Sequence, residues 1–511
     1  MPANIKALIV VLPIAIVVFI LARPLALRFS DPQDFARRRN IWLTLTLVGF
    51  LSPNFWLFVL VAVPLLSWGG RKDSNPIAFY LLLLNVVPVV NVEIPVVGIE
   101  SLFPLNVYRL LSFCVLIPVV WRPRHALVPT RKPRERLLDG LLIAYGIVQV
   151  VLTKPGSSAT DALRQAFLFL IDVYLVYYAV SRFCATRDAI REAQAAFCLS
   201  CALMAATGAF ETARHWLLYS DFSSRWGVND FLSGFYLLRG GSLRALASSG
   251  NTLVLGYLIA IAFGFWLYVR SRVPSPRSRL AVIILYWIGL LATYSRGPWM
   301  GAIAIYFSFA AFGTRGMSGV LKSASVAALV LAGVMASPLG DRITQVLPFA
   351  GGSLDIGSIQ YRQRLAHRAW ELFWENPVFG DRLVLSKMEG LRQGVGLIDL
   401  VNTYAEVALF YGLAGLALFL SPILVSLLRV YHVVTKSLRA DADLALLGAS
   451  LIACMLGTLL MIGTCSFILG YQKLFYVLTG LATAYAGLGS SRRSTAGPVR
   501  GQSVSNGRLS A

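Results

Sequence analysis

Arginines placed between apolar segments are the residues of this sequence that could do chemistry. They occur in three short motifs, Arg239-Gly-Gly-Ser-Leu-Arg244, Tyr294-Ser295-Arg296-Gly297 and Tyr361-Arg362-Gln363-Arg364. A guanidinium group stays charged at any relevant pH and binds phosphate oxygens through a planar, bidentate fork. If the three motifs meet at one membrane face, they predict a site for an anionic ligand such as a pyrophosphate. A single arginine of this kind would be better explained by snorkelling or by an ion pair within a loop.

The composition identifies the surroundings in which these arginines must work. Hydrophobic residues make up 57% of the 511 residues, charged residues make up 14%, and the mean hydropathy is +0.69. The predicted fold class is therefore an all-α, polytopic integral membrane protein in a lipid bilayer. The excess of 46 Lys and Arg over 24 Asp and Glu lies in short loops, so it indicates membrane topology and not nucleic-acid binding. The six cysteines lie in or beside apolar spans, and their spacing predicts neither disulfides nor a metal site.

The hydrophobic pattern predicts about 12–15 transmembrane helices. A first span at 7–22 has no cleavage site after it and is predicted to remain as an anchor. The segment 41–68 is either one long span or two helices broken at Ser52-Pro53-Asn54, and this choice also decides the side of the amino terminus. The remaining spans are predicted near 76–91, 106–121, 137–153, 161–181, 192–213, 251–269, 280–294, 298–313, 323–337, 402–425, 444–465 and 468–488.

The basic loops predict how these spans are oriented. The segments 122–136 and 270–279 are rich in arginine and are predicted to be cytoplasmic. Alternation then places the turn at Ser295 and the segments 214–250 and 338–401 outside the cytoplasm. The chain is thus divided into N-terminal spans, a large periplasmic loop, C-terminal spans and a disordered basic cytoplasmic tail, at 1–337, 338–401, 402–489 and 490–511.

The long polar segment 338–401 is predicted to contain a short helix over 358–375. Its apolar positions are Ile359, Leu365, Ala369, Leu372 and Phe373, and its other face carries Arg364, His367, Arg368, Glu371 and Glu375. A loop of this length with its own helix is typical of a lid or a working site. The alternative is a solvated helix stabilised by i, i+4 pairs such as His367 with Glu371.

Four segments of the chain resemble a known family, the O-antigen ligases and the O-antigen or exopolysaccharide polymerases, which are polytopic bacterial enzymes. The likeness covers residues 235–425 and depends on the order of the motifs around one long loop. The similar segments are 239–251, Leu291-Ala292-Thr293-Tyr294-Ser295-Arg296-Gly297, 358–380 ending in Asn376-Pro377-Val378-Phe379-Gly380, and Asn402-Thr403-Tyr404 with Gly412-Leu413-Ala414-Gly415.

The resemblance implies an undecaprenyl-pyrophosphate-linked glycan as substrate and a site at the periplasmic face of the bacterial inner membrane. Other polysaccharide-assembly proteins are candidate partners, and no cofactor is predicted from the residues. Arginines can stabilise a departing pyrophosphate without a metal, and no outward cluster of metal ligands is visible in the sequence. The residues expected to bind substrate are Arg244, Arg296, Arg362, Arg364, Asn402 and Tyr404.

Two positions depart from the family pattern. The ligases place a histidine immediately before the asparagine, where this chain has Val401, and Phe410 stands where the family often has a glutamate. Polymerisation is therefore favoured over ligation onto lipid A core. The candidates for a catalytic base are Asp399 and His367, although Asp399 could instead cap the next helix and His367 could be a solvated helix residue.

A carboxylate in the middle of a predicted span stands apart from these motifs. Asp172 lies within LFLIDVYLVYY, where an ionised side chain is expensive. It could be a neutral acid hydrogen-bonded to Tyr or Ser, a partner of Arg109, or part of a substrate path, and the structural roles are favoured. A transporter or flippase is the main alternative function, but the sequence has no visible inverted repeat. A non-catalytic scaffold is the third alternative.

Overall fold

The computed structural model describes residues 1–95, 102–121, 133–153, 155–228, 238–239, 241–314, 316, 318–321, 324–325, 356–392 and 398–495. These residues form an all-α polytopic membrane protein, as predicted, and seven of the described helices are long and apolar enough to cross a membrane. The helices are α1 (Ala3–Ala26), α2 (Pro32–Leu51), α3 (Phe55–Lys72), α4 (Pro76–Leu83), α5 (Val107–Leu111), α6 (Ile117–Trp121), α7 (Pro133–Val151), α8 (Ala159–Phe169), α9 (Leu175–Phe183), α10 (Arg187–Arg214), α11 (Asp221–Arg225), α12 (Thr252–Val269), α13 (Pro276–Ala292), α14 (Arg296–Phe312), α15 (Ile356–Glu375), α16 (Thr403–Ser437), α17 (Ala442–Ile462) and α18 (Leu469–Thr495).

Short elements connect some of these helices. A π-helical turn at Ser112–Leu116 joins α5 to α6, and another at Leu170–Tyr174 joins α8 to α9. A 3-10 segment at Val384–Leu391 follows α15. The strands of the described residues form two small antiparallel hairpins, β1 (Val92–Glu93) with β2 (Pro104–Leu105) and β3 (Leu238–Arg239) with β4 (Ser242–Leu243).

The segment 41–68 forms two helices and not one long span. α2 ends before Ser52, and α3 begins after Asn54. The Asn54 side chain accepts a hydrogen bond from the Leu57 N–H at 2.9 Å and so caps α3. This cap, next to a proline that favours an extended neighbour, explains the break.

One end of the helix bundle is held together by ion pairs. Buried Arg38 donates two hydrogen bonds to Asp73, at 2.8 and 2.6 Å, and lies 2.8 Å from Glu192. Arg272, from the second basic loop, pairs with Asp443 at 2.5 Å. Because an unpaired buried charge is strongly destabilising, these partners fix how the helices meet. We call this end the basic end.

The amino terminus lies at the opposite end, which we call the loop end. The Asn4 side chain donates to the Phe50 carbonyl at 2.9 Å. Arg225, from the segment 214–250, donates to the same carbonyl. α1 therefore begins at the loop end and finishes at the basic end, so the amino terminus lies at the same end of the bundle as the loop.

Several predicted spans differ from the observed helices. The span near 76–91 is helical only over Pro76–Leu83, because Asn85 and Pro88 interrupt the apolar run. The span at 402–425 extends as far as Ser437. Other predictions fall on residues outside those described, namely most of the span 323–337, most of the basic loop 122–136, the loop positions 338–355 and 393–397, and the tail beyond 495.

α14 and α17 pack so closely that two of their glycines leave no room for a side chain. A Cβ on Gly301 would overlap Met461, and a Cβ on Gly457 would overlap Ile305. Small residues allow membrane helices to approach in this way. This contact places the end of α17 beside the start of α14. The connection after α17, residues 463–468, which we call the α17–α18 linker, therefore borders the turn before α14.

The described part of the loop 338–401 folds around a small core of its own. The predicted helix is confirmed as α15, which starts two residues earlier than expected. Its inward residues pack against the 3-10 segment and the start of α16, while its charged residues lie on the other face. The core consists of Leu365, Ala369, Leu372, Val384, Met388, Leu400 and Leu409.

α16 is interrupted at Gly412, which has a φ of 65°. The loop packs against this break and forms hydrogen bonds with its backbone. The N–H groups of Leu413 and Ala414 donate to the carbonyls of Pro377 and Val378, at 2.8 and 3.1 Å. In an unbroken helix these N–H groups would bond to carbonyls four residues earlier. The loop thus supplies the acceptors that the helix lacks. We call this contact the joint.

The joint requires glycine on both of its chain segments. The Asp381 N–H donates to the Leu409 carbonyl at 2.7 Å, and Gly380 beside it has a φ of 70°. A Cβ on Gly380 would strike the backbone of Leu409, and a Cβ on Gly412 would overlap the backbone of Val378. The Asn376-Pro377-Val378-Phe379-Gly380 motif therefore has a structural role, which is to close the break in α16.

Cysteine labelling in spheroplasts tests which end faces the cytoplasm. Ser386→Cys, exposed on the loop, is expected to react with a membrane-impermeant maleimide added from outside. Ser278→Cys, exposed at the basic end, is expected to react only after permeabilisation, because basic loops stay in the cytoplasm. The six native cysteines are all buried, which keeps the background low. The reverse labelling pattern would contradict the predicted topology.

Candidate functional site

Two of the three arginine motifs meet around the turn that precedes α14. Arg239 donates a hydrogen bond to the Tyr294 carbonyl at 2.8 Å. Arg244 donates to the Thr293 carbonyl at 3.1 Å and to the Ser295 Oγ at 2.9 Å. The structure therefore brings these motifs together, and Arg244 holds the shape of the turn.

A buried carboxylate anchors the loop that carries Arg244. Glu211, at the loop end of α10, accepts hydrogen bonds from the N–H groups of Leu218, Leu246 and Ala247, at 3.0, 2.9 and 2.8 Å. Three hydrogen bonds to one buried side chain fix the two chain segments relative to α10. Sequence reasoning missed Glu211 because its partners are backbone groups, which leave no side-chain pattern.

Arg296 is the first residue of α14 and is half-buried. The helix start has no side-chain cap, because the Ser295 Oγ donates to the Thr293 carbonyl instead. Tyr294 has a φ of 46°, in the left-handed region that a non-glycine residue seldom adopts. An uncapped helix start beside an arginine favours an anion at this point.

The α17–α18 linker is the element on which the rest of the site converges. Gly297 packs against Thr464 so closely that a Cβ would overlap it. The Ser466 Oγ donates to the Asp399 carboxylate and accepts a hydrogen bond from the Val401 N–H at 3.2 Å. The turn before α14 and the end of the loop thus both contact one linker.

The start of α16 is capped by Asn402. Its side-chain oxygen accepts hydrogen bonds from the N–H groups of Tyr404 and Ala405, at 2.9 and 3.2 Å. The alternative in which Asp399 caps this helix is therefore wrong, and Asp399 instead accepts from the Val401 N–H at 3.1 Å. The Asn402 oxygen is already engaged in capping, so this residue has a structural role beside the predicted contact with substrate.

Tyr404 points towards α17. Its hydroxyl group donates to the Leu459 carbonyl at 2.5 Å, and its ring lies close to Gly463. This contact joins α16 to α17. The position of Tyr404 favours a packing role over the predicted contact with substrate.

Arg362 brings the third arginine motif to the linker. Arg362 lies close enough to Cys465, in the linker, for the two side chains to interact electrostatically. The neighbouring Tyr361 hydroxyl donates to the Asp399 carbonyl at 3.3 Å. Within the described residues, the exposed Arg362 side chain forms no hydrogen bond or ion pair. Unlike Arg244, Arg362 can offer its whole fork to a ligand.

Arg364 and His367 lie on the opposite face of α15, away from its core. His367 is 81% exposed, and its Nδ1 lies 3.1 Å from the Glu371 Oε1. This is the solvated i, i+4 pair that the sequence offered as the alternative. Arg364 is also exposed. The structure therefore does not place either residue at the linker.

Ion pairs beside α15 shift the pKa values of charged groups in the loop. The hydrogen bond from Arg368 holds the pKa of Glu371 below its usual value. Lys387 lies 2.6 Å from Glu375 and 3.0 Å from Asp381, and these hydrogen bonds raise the pKa of Lys387. Solvent-exposed pairs of this kind contribute little to stability. They satisfy the charges of the loop without involving the linker.

Two charged residues that sequence analysis did not single out lie near the first turns of α16. Glu406, in the first turn of α16, accepts a hydrogen bond from the Phe467 N–H at 3.0 Å. Arg382, next to the joint, lies over the rings of Phe410 and Tyr411 at 5.0 and 4.8 Å. A signal for Glu406 was available, because it precedes Phe410 by one helical turn and so faces the same side of α16.

Buried Asp172 is paired with two cations. Its carboxylate accepts hydrogen bonds from Arg109, at 3.0 and 2.7 Å, and from Lys473, at 2.7 Å. Of the roles that the sequence left open, the ion pair with Arg109 is the one observed. Lys473 is an additional partner that the sequence pattern did not indicate.

The linker site combines guanidinium groups with carboxylates. Guanidinium groups bind phosphate oxygens, and the carboxylates of Asp399 and Glu406 can accept a proton. Among the residues that the structure describes, no group of three or more His, Cys, Asp or Glu side chains is arranged to hold a metal ion. The arrangement fits an anionic ligand next to a group that loses a proton.

The fold and the site define a class of protein, namely a polytopic membrane protein in which a folded loop closes onto an arginine-bearing site at one end of the helix bundle. Residues 280–420 match the family model described as O-antigen ligase. The match includes the turn before α14, the loop and the start of α16. The resemblance is thereby confirmed for this part of the chain, which is similar to the O-antigen ligase family. A search of curated proteins found no match.

Removal of the Asp172 carboxylate is expected to destabilise the protein strongly. Asp172→Asn leaves two buried cations without a counter-charge, which costs about 3–5 kcal/mol. Lys473→Met leaves the Arg109 pair intact, so we expect a smaller loss, and the double variant should recover part of the stability. Thermal melting of purified protein in detergent would measure these differences. Equal melting temperatures for Asp172→Asn and the wild type would contradict the ion-pair assignment.

Proposed function

We propose that this protein is a glycosyltransferase that polymerises O-antigen or exopolysaccharide repeat units. Its substrate would be an undecaprenyl-pyrophosphate-linked oligosaccharide at the periplasmic face of the bacterial inner membrane. The observation that carries the proposal is that two arginine motifs meet at the turn before α14, which packs against the α17–α18 linker, while the exposed Arg362 lies near the same linker and is available to a ligand. The match of residues 280–420 to the O-antigen ligase model supports the reaction class.

In this reaction a hydroxyl oxygen of the acceptor sugar attacks the anomeric carbon of the donor. The bond between that carbon and the pyrophosphate oxygen breaks, and the pyrophosphate leaves with the bonding electrons. Arg362 and Arg296 would stabilise the negative charge that develops on the leaving group. Arg244 would act as a positioning residue, since its guanidinium holds the turn before Arg296.

The attacking hydroxyl group must also lose its proton. Asp399 and Glu406 both border the linker, through the Ser466 hydroxyl and the Phe467 N–H. His367 is solvated on the outer face of α15. We therefore assign the role of base to the carboxylates at the linker, with Asp399 as the first candidate.

Polymerisation is favoured over ligation because of Val401. The related ligases place a histidine at this position, and a valine side chain cannot accept a proton. The backbone N–H of Val401 donates to Asp399 and Ser466, so a carboxylate lies beside the position of the missing histidine. Ligation onto lipid A core is the second candidate function, and it is supported by the description of the matching family model. A transporter or flippase is the third.

Analysis of lipid-linked glycans in cells lacking the gene tests the proposed reaction. We expect single undecaprenyl-linked repeats to accumulate on the periplasmic face and polymer to disappear, with both effects reversed by a plasmid copy of the gene. Accumulation of long lipid-linked chains would indicate a ligase. Accumulation of single repeats on the cytoplasmic face only would indicate a transporter.

Arg→Lys substitutions test the arginine site. Arg244→Lys, Arg296→Lys and Arg362→Lys keep the positive charge but lose the bidentate fork. For Arg296 and Arg362, loss of one charged contact with the ligand costs on the order of 2–4 kcal/mol, which is about 30- to 1000-fold in rate. For Arg244 we expect a loss of activity because the turn before Arg296 is no longer held in place. Arg392→Lys is the matched control, because Arg392 pairs with Glu389 on the exposed side of the loop. Wild-type polymer levels in all three site variants, at equal expression, would contradict the proposal.

Asp399→Asn tests the base. The amide oxygen can still accept hydrogen bonds from Ser466 and Val401, so the local backbone is expected to survive, but the amide cannot accept the proton. We expect a severe loss of polymerisation with unchanged membrane insertion, whereas His367→Gln is expected to remain active. An active Asp399→Asn variant together with an inactive Glu406→Gln variant would move the role to Glu406. Full activity of both variants would mean that no carboxylate base is needed.

A further inference from the structure

A polar cavity of about 300 Å³ lies between α7, α8 and α18. This volume is at the lower end of the range for small-molecule sites. Its wall includes the side chains of Gln149, Gln165 and Gln472, together with the ring of Phe169. None of the arginine motifs of the linker site contributes to this wall, so the cavity is a separate feature.

The cavity is separated from Arg382, beside the joint, by one buried side chain, that of Tyr411. Arg164, on the cavity wall, donates to the Leu102 carbonyl in the hairpin connection at 2.8 Å. Gln165 interacts with the Tyr411 hydroxyl group, and the Arg382 guanidinium lies over the Tyr411 ring. Glu406, which contacts the linker, also acts electrostatically on Tyr411, so the cavity and the linker site share this neighbour.

The charged groups at the base of the cavity are already engaged with one another. Arg109 donates to Asp172 and also to the Pro104 carbonyl. Lys473 donates to Asp172, to the Ser112 Oγ and to a backbone carbonyl. These contacts occupy the cations, so the base of the cavity does not demand an anionic ligand.

The side-chain amides of the wall can still meet a ligand, because Gln149 and Gln165 each hydrogen-bond one tyrosine hydroxyl, of Tyr145 and Tyr411, whereas an amide can form up to four hydrogen bonds. Gln472 is half-buried, and its side chain forms no hydrogen bond with another residue that the structure describes. An amide offers both a donor and an acceptor, which is what a sugar hydroxyl group needs, whereas a pyrophosphate only accepts. Phe169 adds an apolar surface for the C–H groups of a pyranose ring.

A π-helical turn borders the base of the cavity. Asp172, on the cavity wall, lies within the turn Leu170–Tyr174. Such turns are rare, and they occur frequently at functional sites. This turn supports the interpretation of the cavity as a ligand site and not as a packing defect.

We propose that this cavity binds one sugar residue of the lipid-linked glycan through the amides of Gln149, Gln165 and Gln472. This assignment rests on the proposed function, because that function supplies the glycan. The cavity would hold the sugar while the arginines at the linker hold the pyrophosphate, and it would thereby select the repeat unit.

Ligand-dependent thermal stabilisation of the protein in nanodiscs tests the assignment. One probe is the undecaprenyl-pyrophosphate-linked repeat extracted from cells lacking the gene, and the other is undecaprenyl pyrophosphate without sugar. Gln472→Met and Gln149→Met remove the amide while keeping a similar side-chain length. Gln194→Met is the control, because Gln194 is a buried glutamine in α10 that contacts Ser450.

We expect each cavity variant to bind the repeat-bearing lipid about 5- to 150-fold more weakly, the factor for one or more unpaired polar groups. Binding of the sugar-free lipid should be unchanged, and the control should bind both as the wild type does. Unchanged affinity of the cavity variants for the repeat would overturn the sugar site, as would an equal loss for both lipids. If one variant does not fold, the other decides. A wild type that binds neither lipid would overturn the proposed function itself.

Discussion

The rest of the loop end depends on the exchange of backbone hydrogen bonds at the joint. Within a membrane, an unpaired N–H or carbonyl group is too costly to leave open, so a helix can break only where other groups replace its bonds. The loop provides this replacement, since Pro377 and Val378 accept from the N–H groups that follow Gly412. The break in α16 and the docking of the loop are therefore one structural event, and neither is stable without the other.

This constraint determines where the charged groups of the loop lie. Docking at the joint places Arg382 over the rings of α16 and brings α15 beside the α17–α18 linker. The linker is fixed independently by the tight crossing of α14 with α17, which also fixes the turn before Arg296. α15 and the turn before α14 are thus positioned by two separate contacts, at the joint and at the crossing of α14 with α17, that meet at the linker.

Local patterns in the sequence were sufficient to predict individual helices. They could not predict the contacts between residues that are far apart in the chain. The spacing of Leu365, Ala369 and Leu372 correctly predicted α15 and its buried face. The role of Tyr404 was predicted from a motif, but its hydroxyl group meets a backbone carbonyl of α17, which no side-chain pattern can indicate. The pairing of Lys473 with Asp172 was missed for a different reason. A cation near the end of an apolar span is usually expected to reach the membrane surface.

Val401 stands where the similar ligases have a histidine, and its backbone has an unusual conformation. Val401 has a φ of 48°, a left-handed conformation that costs a β-branched residue about 1–3 kcal/mol. Its N–H is held by Asp399 and Ser466, so the strained turn is maintained although the side chain can do no chemistry. The hydrogen bonds of this turn do not involve the Val401 side chain, and they set the Asp399 carboxylate against Ser466 of the linker.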